Sequence, residues 1–389
     1  MYRNTRFSQL MEQFPRGLFD KRVNELKTDR YAKRFSSWDH LIAMMYLQLS
    51  GQSSLRDLQC SFNSHTNVHY HLGTQALKRS TLADANKRID STLYLDICQA
   101  LLAKVKRKCR QQVENALYLL DSTPIQLKGR GYDQWAAKNR TYRCQGLKLN
   151  VLYDHSGATP VYAAISNPNV TDITDGRKVP LESGATYVFD KGYNDYNWWY
   201  EIESQNAIFV TRFKQNAAFK LLSSVQPDDV DSPILCDQKV KFKNRRPGGK
   251  RINHYMKPLR CVVVDRPDKT TPLVLATNDM ARPAEDIAEL YKARWQIELF
   301  FKWIKQNLKI KHFISHDENA VRNQIYIAII AYLLLYLHRP QTGYEGSLKS
   351  FVVVISCTLF NRPETEETVY RRRRKTRQEI DKSQPNFWP

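Results

Sequence analysis

Two short apolar runs, each closed by an aspartate, constrain the fold of this chain more than any other feature. ALYLLDST (116–123) and GATYVFD (184–190) have the length and apolar character of buried strands. The first is expected to carry Asp121 at its C-terminal end and the second Asp190. Between them GLKLNVLYD (146–154) alternates, HSG turns, and TPVYAAIS (159–166) returns as a hairpin partner. KGYNDYNWWYEIESQN then reads as a turn and a helix, and AIFVTRF (207–213) as the next strand. A strand ending in Asp often only begins a turn. Two of them in one sheet can bring together carboxylates that are 69 positions apart.

A third acidic residue lies in LYKARWQIELFFKWIKQNLK (290–309), which reads as one helix continuing from Ala284, with Pro283 at its start. At roughly 100° per residue, Tyr291, Arg294, Glu298 and Lys305 fall within an arc of about 60°. Leu290, Ile297, Phe301, Ile304 and Leu308 flank that stripe on one side, Trp295, Leu299 and Trp303 on the other. A polar stripe with apolar walls on both sides suggests a cleft lined by a carboxylate, two cations and a phenol. Spacing alone leaves open an ordinary i,i+4 pair of Arg294 with Glu298 on a buried helix.

Tyr291-x2-Arg294-x3-Glu298-x6-Lys305 resembles the Y-R-E-K signature of the insertion-sequence-four family of DDE transposases. Asp121-Ser122-Thr123-Pro124 is similar to the first-aspartate block of that family. Asp190-Lys191-Gly192-Tyr193, followed by Ile208 to Arg212 and Lys214, is similar to its second. The three blocks stand in family order over roughly residues 115 to 310.

The resemblance implies an RNase H-like α/β core in which Asp121, Asp190 and Glu298 are catalytic and hold two Mg2+ ions, with Mn2+ able to substitute. Three convergent carboxylates suit a pair of hard cations about 3.5–4 Å apart, and without metal they should raise one another's pKa. Tyr291, Arg294 and Lys305 are implied as contacts to DNA phosphates, with Lys191, Arg212 and Lys214 as further DNA-binding candidates. The implied reaction is hydrolysis at the ends of an insertion sequence, then joining of the 3′-OH ends to target DNA. A homodimer on double-stranded DNA, engaging terminal inverted repeats and target, is the family expectation. Two alternatives remain: a transposase-derived DNA-binding protein without cleavage, and a host RNase H-like nuclease.

The remaining chain is expected to divide around that core. Residues 1–110 read as an all-α DNA-binding domain. Ser36-x-x-Asp39 resembles a capping box, Gly51 a helix stop, and Ser53 or Ser54 the next cap. Ser80 should cap a third helix running on towards Lys106, with Asn86, Lys87 and Arg88 exposed as DNA contacts in a helix-turn-helix-like arrangement. His65, His69 and His71 lack a partner of metal-ligand type nearby, so satisfied or exposed imidazoles are expected there. The core is expected at 111–214 plus 284–338, interrupted by a β-rich insertion domain at 215–283 carrying the basic loop KNRRPGGKR (243–251). Relatives that form hairpin intermediates use a Trp in this insertion to stack a base. None occurs here, and Phe242 or Tyr255 would have to substitute. Residues 339–389 form a C-terminal element and a basic tail, Arg371 to Lys375 with Arg377.

Charge points the same way. A net charge of +21 over 389 residues favours a polyanionic partner. The longest apolar run, Ile325 to Leu337, is shorter than a bilayer crossing requires, so a core helix and no membrane are expected. Seven scattered cysteines without a CxxC fit reduced thiols in a cytoplasmic, nucleoid-associated protein.

Overall fold

The computed structural model describes residues 5–110, 116–139, 145–214, 217–226, 232–246, 251–267 and 269–363. The basic run Arg371 to Lys375 with Arg377, and positions 247–250 of the basic loop, lie outside the described residues.

The N-terminal part is helical: α1 (Arg6–Leu10), α2 (Arg16–Leu26), α3 (Ser37–Ser50), α4 (Leu55–Asn63), α5 (Arg79–Arg88) and α6 (Ser91–Arg110). The Ser36 hydroxyl accepts the Asp39 N–H while the Asp39 carboxylate accepts the Ser36 N–H, so α3 starts on a reciprocal box. Gly51, at φ +74°, ends it in the left-handed conformation that glycine adopts at least cost. Ser54 then caps α4.

The third helix departs from expectation. Ser80 lies inside α5, and the helix does not run on. It breaks at Ile89–Asp90, where the Asn319 side chain donates to the Lys87 and Ile89 carbonyls and accepts the Ser91 N–H. A distant amide thus satisfies the backbone groups that a continuous helix would have paired internally. Asn86 is not a surface contact: it is buried, with Oδ1 against His40 Nε2 at 3.0 Å. Lys87 and Arg88 are exposed.

The centre is a mixed sheet. Its strands are β1 (Leu117–Gln126), β2 (Gly146–Asp154), β3 (Thr159–Ser166), then β4 (Thr186–Phe189) after the short helix α7 (Asp172–Gly176), and β5 (Ile208–Arg212) after α8 (Tyr196–Ser204). β6 (Phe219–Val225), β7 (Ile234–Phe242), β8 (Leu259–Val264) and β9 (Leu273–Thr277) follow. The spatial order is β3-β2-β1-β4-β5-β9-β8-β7-β6. β1, β2 and β3 are antiparallel neighbours, β1, β4 and β5 parallel ones, and the strands from β9 to β6 antiparallel again. β9 pairs with β5, so the strands of 215–283 extend the central sheet instead of forming a sheet of their own.

Helices α9 (Ala284–Ala293), α10 (Trp295–Asn307), α11 (Glu318–His338) and α12 (Leu348–Thr358) complete the chain. As a whole, α11 is long and apolar enough to cross a membrane, but 89% of its apolar window is buried inside the protein. It packs chiefly on α6 and α3. Its Tyr332 and Tyr336 hydroxyls donate to the Ala158 and Gly157 carbonyls in the β2–β3 turn. The segment after α12 returns to the N-terminus: Arg6 and Phe7 N–H groups donate to the Asn361 and Leu359 carbonyls, and Phe360 packs among Phe7, Tyr46 and Phe62.

Candidate active site

Strand register brings the two aspartates together. β1 and β4 run parallel with Leu120 opposite Phe189, so Asp121 and Asp190 each directly follow the last paired residues of the two strands. Neighbouring strands lie about 4.8 Å apart, and equal register puts both side chains on the same face. Asp121 is not at the end of its strand, as the apolar run suggested. β1 continues to Gln126 because β2 pairs with it throughout, Asp121 itself lying opposite Val151. Only β4 stops, at Phe189, just before Asp190 begins the next turn.

Glu298 comes from above the sheet. The expected single helix is divided at Arg294, where bonding tightens to three-residue spacing: the Arg294 N–H donates to the Tyr291 carbonyl, and the Ile297 N–H to that of Arg294. Arg294 itself stays in the right-handed helical region, so Tyr291, Arg294 and Glu298 still face the sheet. One wall of the expected cleft is packed: Ile297, Phe301, Ile304 and Leu308 are buried. The other is packed only at Trp303, half-buried against Tyr332, while Trp295 and Leu299 are exposed at 59% and 51%. The stripe therefore borders solvent on that side.

The Arg294 guanidinium donates to Asp121 Oδ2 at 3.0 Å and to Glu298 Oε1 at 2.6 Å, bridging strand and helix. The Tyr291 hydroxyl donates to Asp190 Oδ1 at 3.4 Å, and Arg212 lies 4.0 Å from the same oxygen. Lys305 donates to Thr123 Oγ1, two residues beyond Asp121. Asp121, Asp190, Glu298, Tyr291, Arg294, Arg212 and Lys305 thus form one constellation. Lys191 is exposed in the turn after Asp190, and Lys214 is exposed just beyond β5, donating to the Asn194 carbonyl at 3.4 Å. Phe242 and Tyr255 cannot stack a base from where they stand. Both are buried, packed around Tyr196, Trp199 and Phe209.

Burial is the main reason that the Asp121 carboxyl is pushed up to about 6. Its bond from the Ser122 N–H and the Arg294 charge oppose the rise; Asp190 and Glu298 add to it. Burial, with Asp190 next, also raises the Tyr291 phenol, which keeps its proton as a donor. Burial and then Lys311 lower the Lys305 ammonium.

An all-carboxylate oxygen set suits a hard divalent cation. Among the described residues no three such side chains converge closely enough to hold an ion as they stand. The Arg294 guanidinium fills the space between two of them. The donor chemistry fits a metal once that side chain turns aside.

Two further residues support the site, Thr123 from the first-aspartate block and Asn194. Thr123 anchors Lys305. Asn194 ties the Asp190 turn to β5, its amide donating to the Arg212 carbonyl at 2.6 Å and its Oδ1 accepting from Thr211. Neither residue type points to such a role. Only the pairing of distant segments reveals it.

Residues 105–334 match the family model "Transposase DDE domain", and residues 2–75 match "Domain of unknown function (DUF4372)". The chain is 42% identical over 285 residues to a protein of Sinorhizobium fredii described as transposase y4zB, covering 72% of this chain and 77% of that one. It is 27% identical over 293 residues to a protein of Geobacillus stearothermophilus described as a transposase for insertion sequence element IS5377, covering 71% and 73%. Among solved structures it is similar to the piggyBac transposase synaptic complex with hairpin DNA, at a TM-score of 0.49 and 12% identity, covering 98% of this chain and 85% of that one.

Proposed function

Since the chain belongs to the transposase DDE domain family, we propose that it binds the ends of an insertion sequence, cuts them by phosphodiester hydrolysis and joins the 3′-OH ends to target DNA. The observation that carries this is the register setting Asp121 beside Asp190, with Glu298 reached through one guanidinium. A three-stranded antiparallel meander joined to parallel β4 and β5 is what supports an RNase H-like core.

Asp121, Asp190 and Glu298 would hold two divalent ions, Mg2+ for preference and Mn2+ as a substitute. When bound, these supply an activated water and charge relief at the leaving oxygen. The protein's own groups position the DNA. Arg294 exchanges its carboxylates for a non-bridging phosphate oxygen, its planar fork suiting either partner. Lys305 and Tyr291 donate to the same backbone, and Lys191, Arg212 and Lys214 line the approach. The 3′-OH freed in the first step is the nucleophile of the second, so both steps use one set of carboxylates.

The same reading assigns 1–110 to DNA binding, 111–214 with 284–338 to catalysis, 215–283 to an insertion tracking DNA, and 339–389 to a closing element. Two copies of the chain would pair two element ends. The test is strand-specific nicking of DNA carrying the sequences that flank the gene, with and without Mg2+. Wild type should nick; Asp121→Asn, Asp190→Asn and Glu298→Gln should not. Equal activity in wild type and variants would leave DNA binding as the function.

A further inference from the structure

Beside the carboxylates lies a polar cluster, buried at Lys148, Asn150 and Asp175 and half-exposed at Asp172, that the chemistry above does not use. Lys148 on β2 is 7% exposed, and its ammonium donates to Asp172 Oδ1 at 3.0 Å and to the Val170 carbonyl, 3.4 Å from Asp175 Oδ2. Asp175 is held by Asn150, Ser166 and Lys178. Burying this many polar groups costs free energy unless each finds a partner. Here they are joined in one network, with Asn150 Oδ1 left unpaired.

Asp172 is where that network reaches the active site. Its Oδ1 also accepts the Ser122 hydroxyl at 2.9 Å, and the Ser122 N–H donates to Asp121 Oδ1 at 2.8 Å. Its Oδ2 lies against Gly192, where an added Cβ would come within 2.8 Å. One carboxylate therefore touches the residue after Asp121 and the second residue after Asp190. The buried Tyr193 hydroxyl faces Ser122, with the Asp172 and Asp121 carboxylates nearby.

We propose that Asp172 is a positioning residue: it sets the spacing of the Asp121 and Asp190 corners through Ser122 and Gly192, while Lys148 neutralises its charge. This rests on the reading of Asp121 and Asp190 as metal-holding groups. Two ions about 3.5–4 Å apart need their ligands held to within about 0.5 Å. β1 and β4 are hydrogen-bonded only as far as Leu120 and Phe189. Beyond that point the sheet no longer fixes the distance, and Asp172 does. With Oδ1 shared between an ammonium and a hydroxyl, Asp172 adds no further unpaired charge to the site.

The test uses the full-length chain with Mn2+ as the probe, its binding titrated by electron paramagnetic resonance, alongside kcat and KM for nicking. Asp172→Ala should weaken Mn2+ binding and lower kcat by about 10–100-fold each, the usual cost of losing a group that orients metal ligands, with KM for DNA unchanged. Asp172→Asn, still able to accept from Ser122, should recover part of both. Gly192→Ala, which presses a methyl onto Oδ2, should reproduce the loss without altering any charge. Circular dichroism checks folding, and if Asp172→Ala does not fold, Gly192→Ala and Ser122→Ala carry the test. Wild-type Mn2+ affinity in folded Asp172→Ala, or in both of the other two, overturns the proposal. Asp121→Asn separates the two readings. If it too binds Mn2+ normally, the metal assignment has failed; if it alone loses Mn2+, the role of Asp172 has.

Discussion

Arg294 donates to Asp121 Oδ2 across 3.0 Å, from the helical layer to the central strand, and its other amino group holds Glu298. A cation already sits where the proposed metal would go. Arg294→Gln should therefore tighten Mn2+ binding to the DNA-free protein by about tenfold, since a buried carboxylate that loses its partner gains from any replacement charge. The same change should weaken DNA binding, because the fork proposed to grip phosphate is gone. Mn2+ titration without DNA and a DNA-binding isotherm check the two halves. Weaker Mn2+ binding in the variant would mean that Arg294 helps build the metal seat instead of filling it.

Asp121 makes stability depend on pH. Its carboxyl is pushed from 3.8 to about 6 in the fold, chiefly by burial. The neutral form is thus favoured in the folded chain. The stability this contributes is complete below pH 3.8 and is lost as pH rises through about 6. Asp121→Asn, which never ionises, should be more stable than wild type at neutral pH by on the order of 1–3 kcal/mol, with the gap closing towards the acid end of that range. Thermal melts across it measure the gap. A gap that does not change with pH would show that burial does not govern this carboxyl.

Much of this site is legible in the sequence. The β2 and β3 spans, the Ser36 cap and the Gly51 stop can be read because each is fixed by local pattern or local bonding. The three acidic residues stand out through a resemblance, while the sheet register that joins two of them is long-range. Features settled by distant partners are the ones that escape. The break between α5 and α6 depends on Asn319, and the burial of Asn86 on His40 and Asn323. The pairing of β9 with β5 joins the insertion to the main sheet. Nothing in VTDITDG singles out Asp172 until Ser122 and Lys148 are found beside it.

Lys305 is held by Thr123, near the Lys311 charge. If it grips a phosphate, Lys305→Met should weaken binding to all duplexes alike and flatten the dependence of log K on log salt by about 0.9, one phosphate contact. Thr123→Val should leave that slope intact while lowering affinity, because it frees the ammonium without removing its charge. Titrations at several salt concentrations separate the two. An unchanged slope in Lys305→Met would place the DNA elsewhere.

His40 gives the helical part a pH response of opposite sign to that of Asp121. Its Nε2 faces the Asn86 carbonyl oxygen at 3.0 Å and its Nδ1 the Tyr94 hydroxyl at 2.6 Å. A neutral ring satisfies both, with Nε2–H donating and Nδ1 accepting. Burial lowers its pKa from 6.5 to about 4, with Arg88 also lowering it and the Asn86 bond opposing. The stability this contributes is present above pH 6.5 and is lost as pH falls through about 4. Over that window the loss should amount to on the order of 3 kcal/mol. His40→Gln should remove this acid sensitivity at some cost at neutral pH, whereas Asp121→Asn should expose it by removing the opposing trend. If both variants melt with the wild-type pH profile, neither group controls it. If the two shift it in opposite directions, the helical layer and the central sheet titrate as separate contributors.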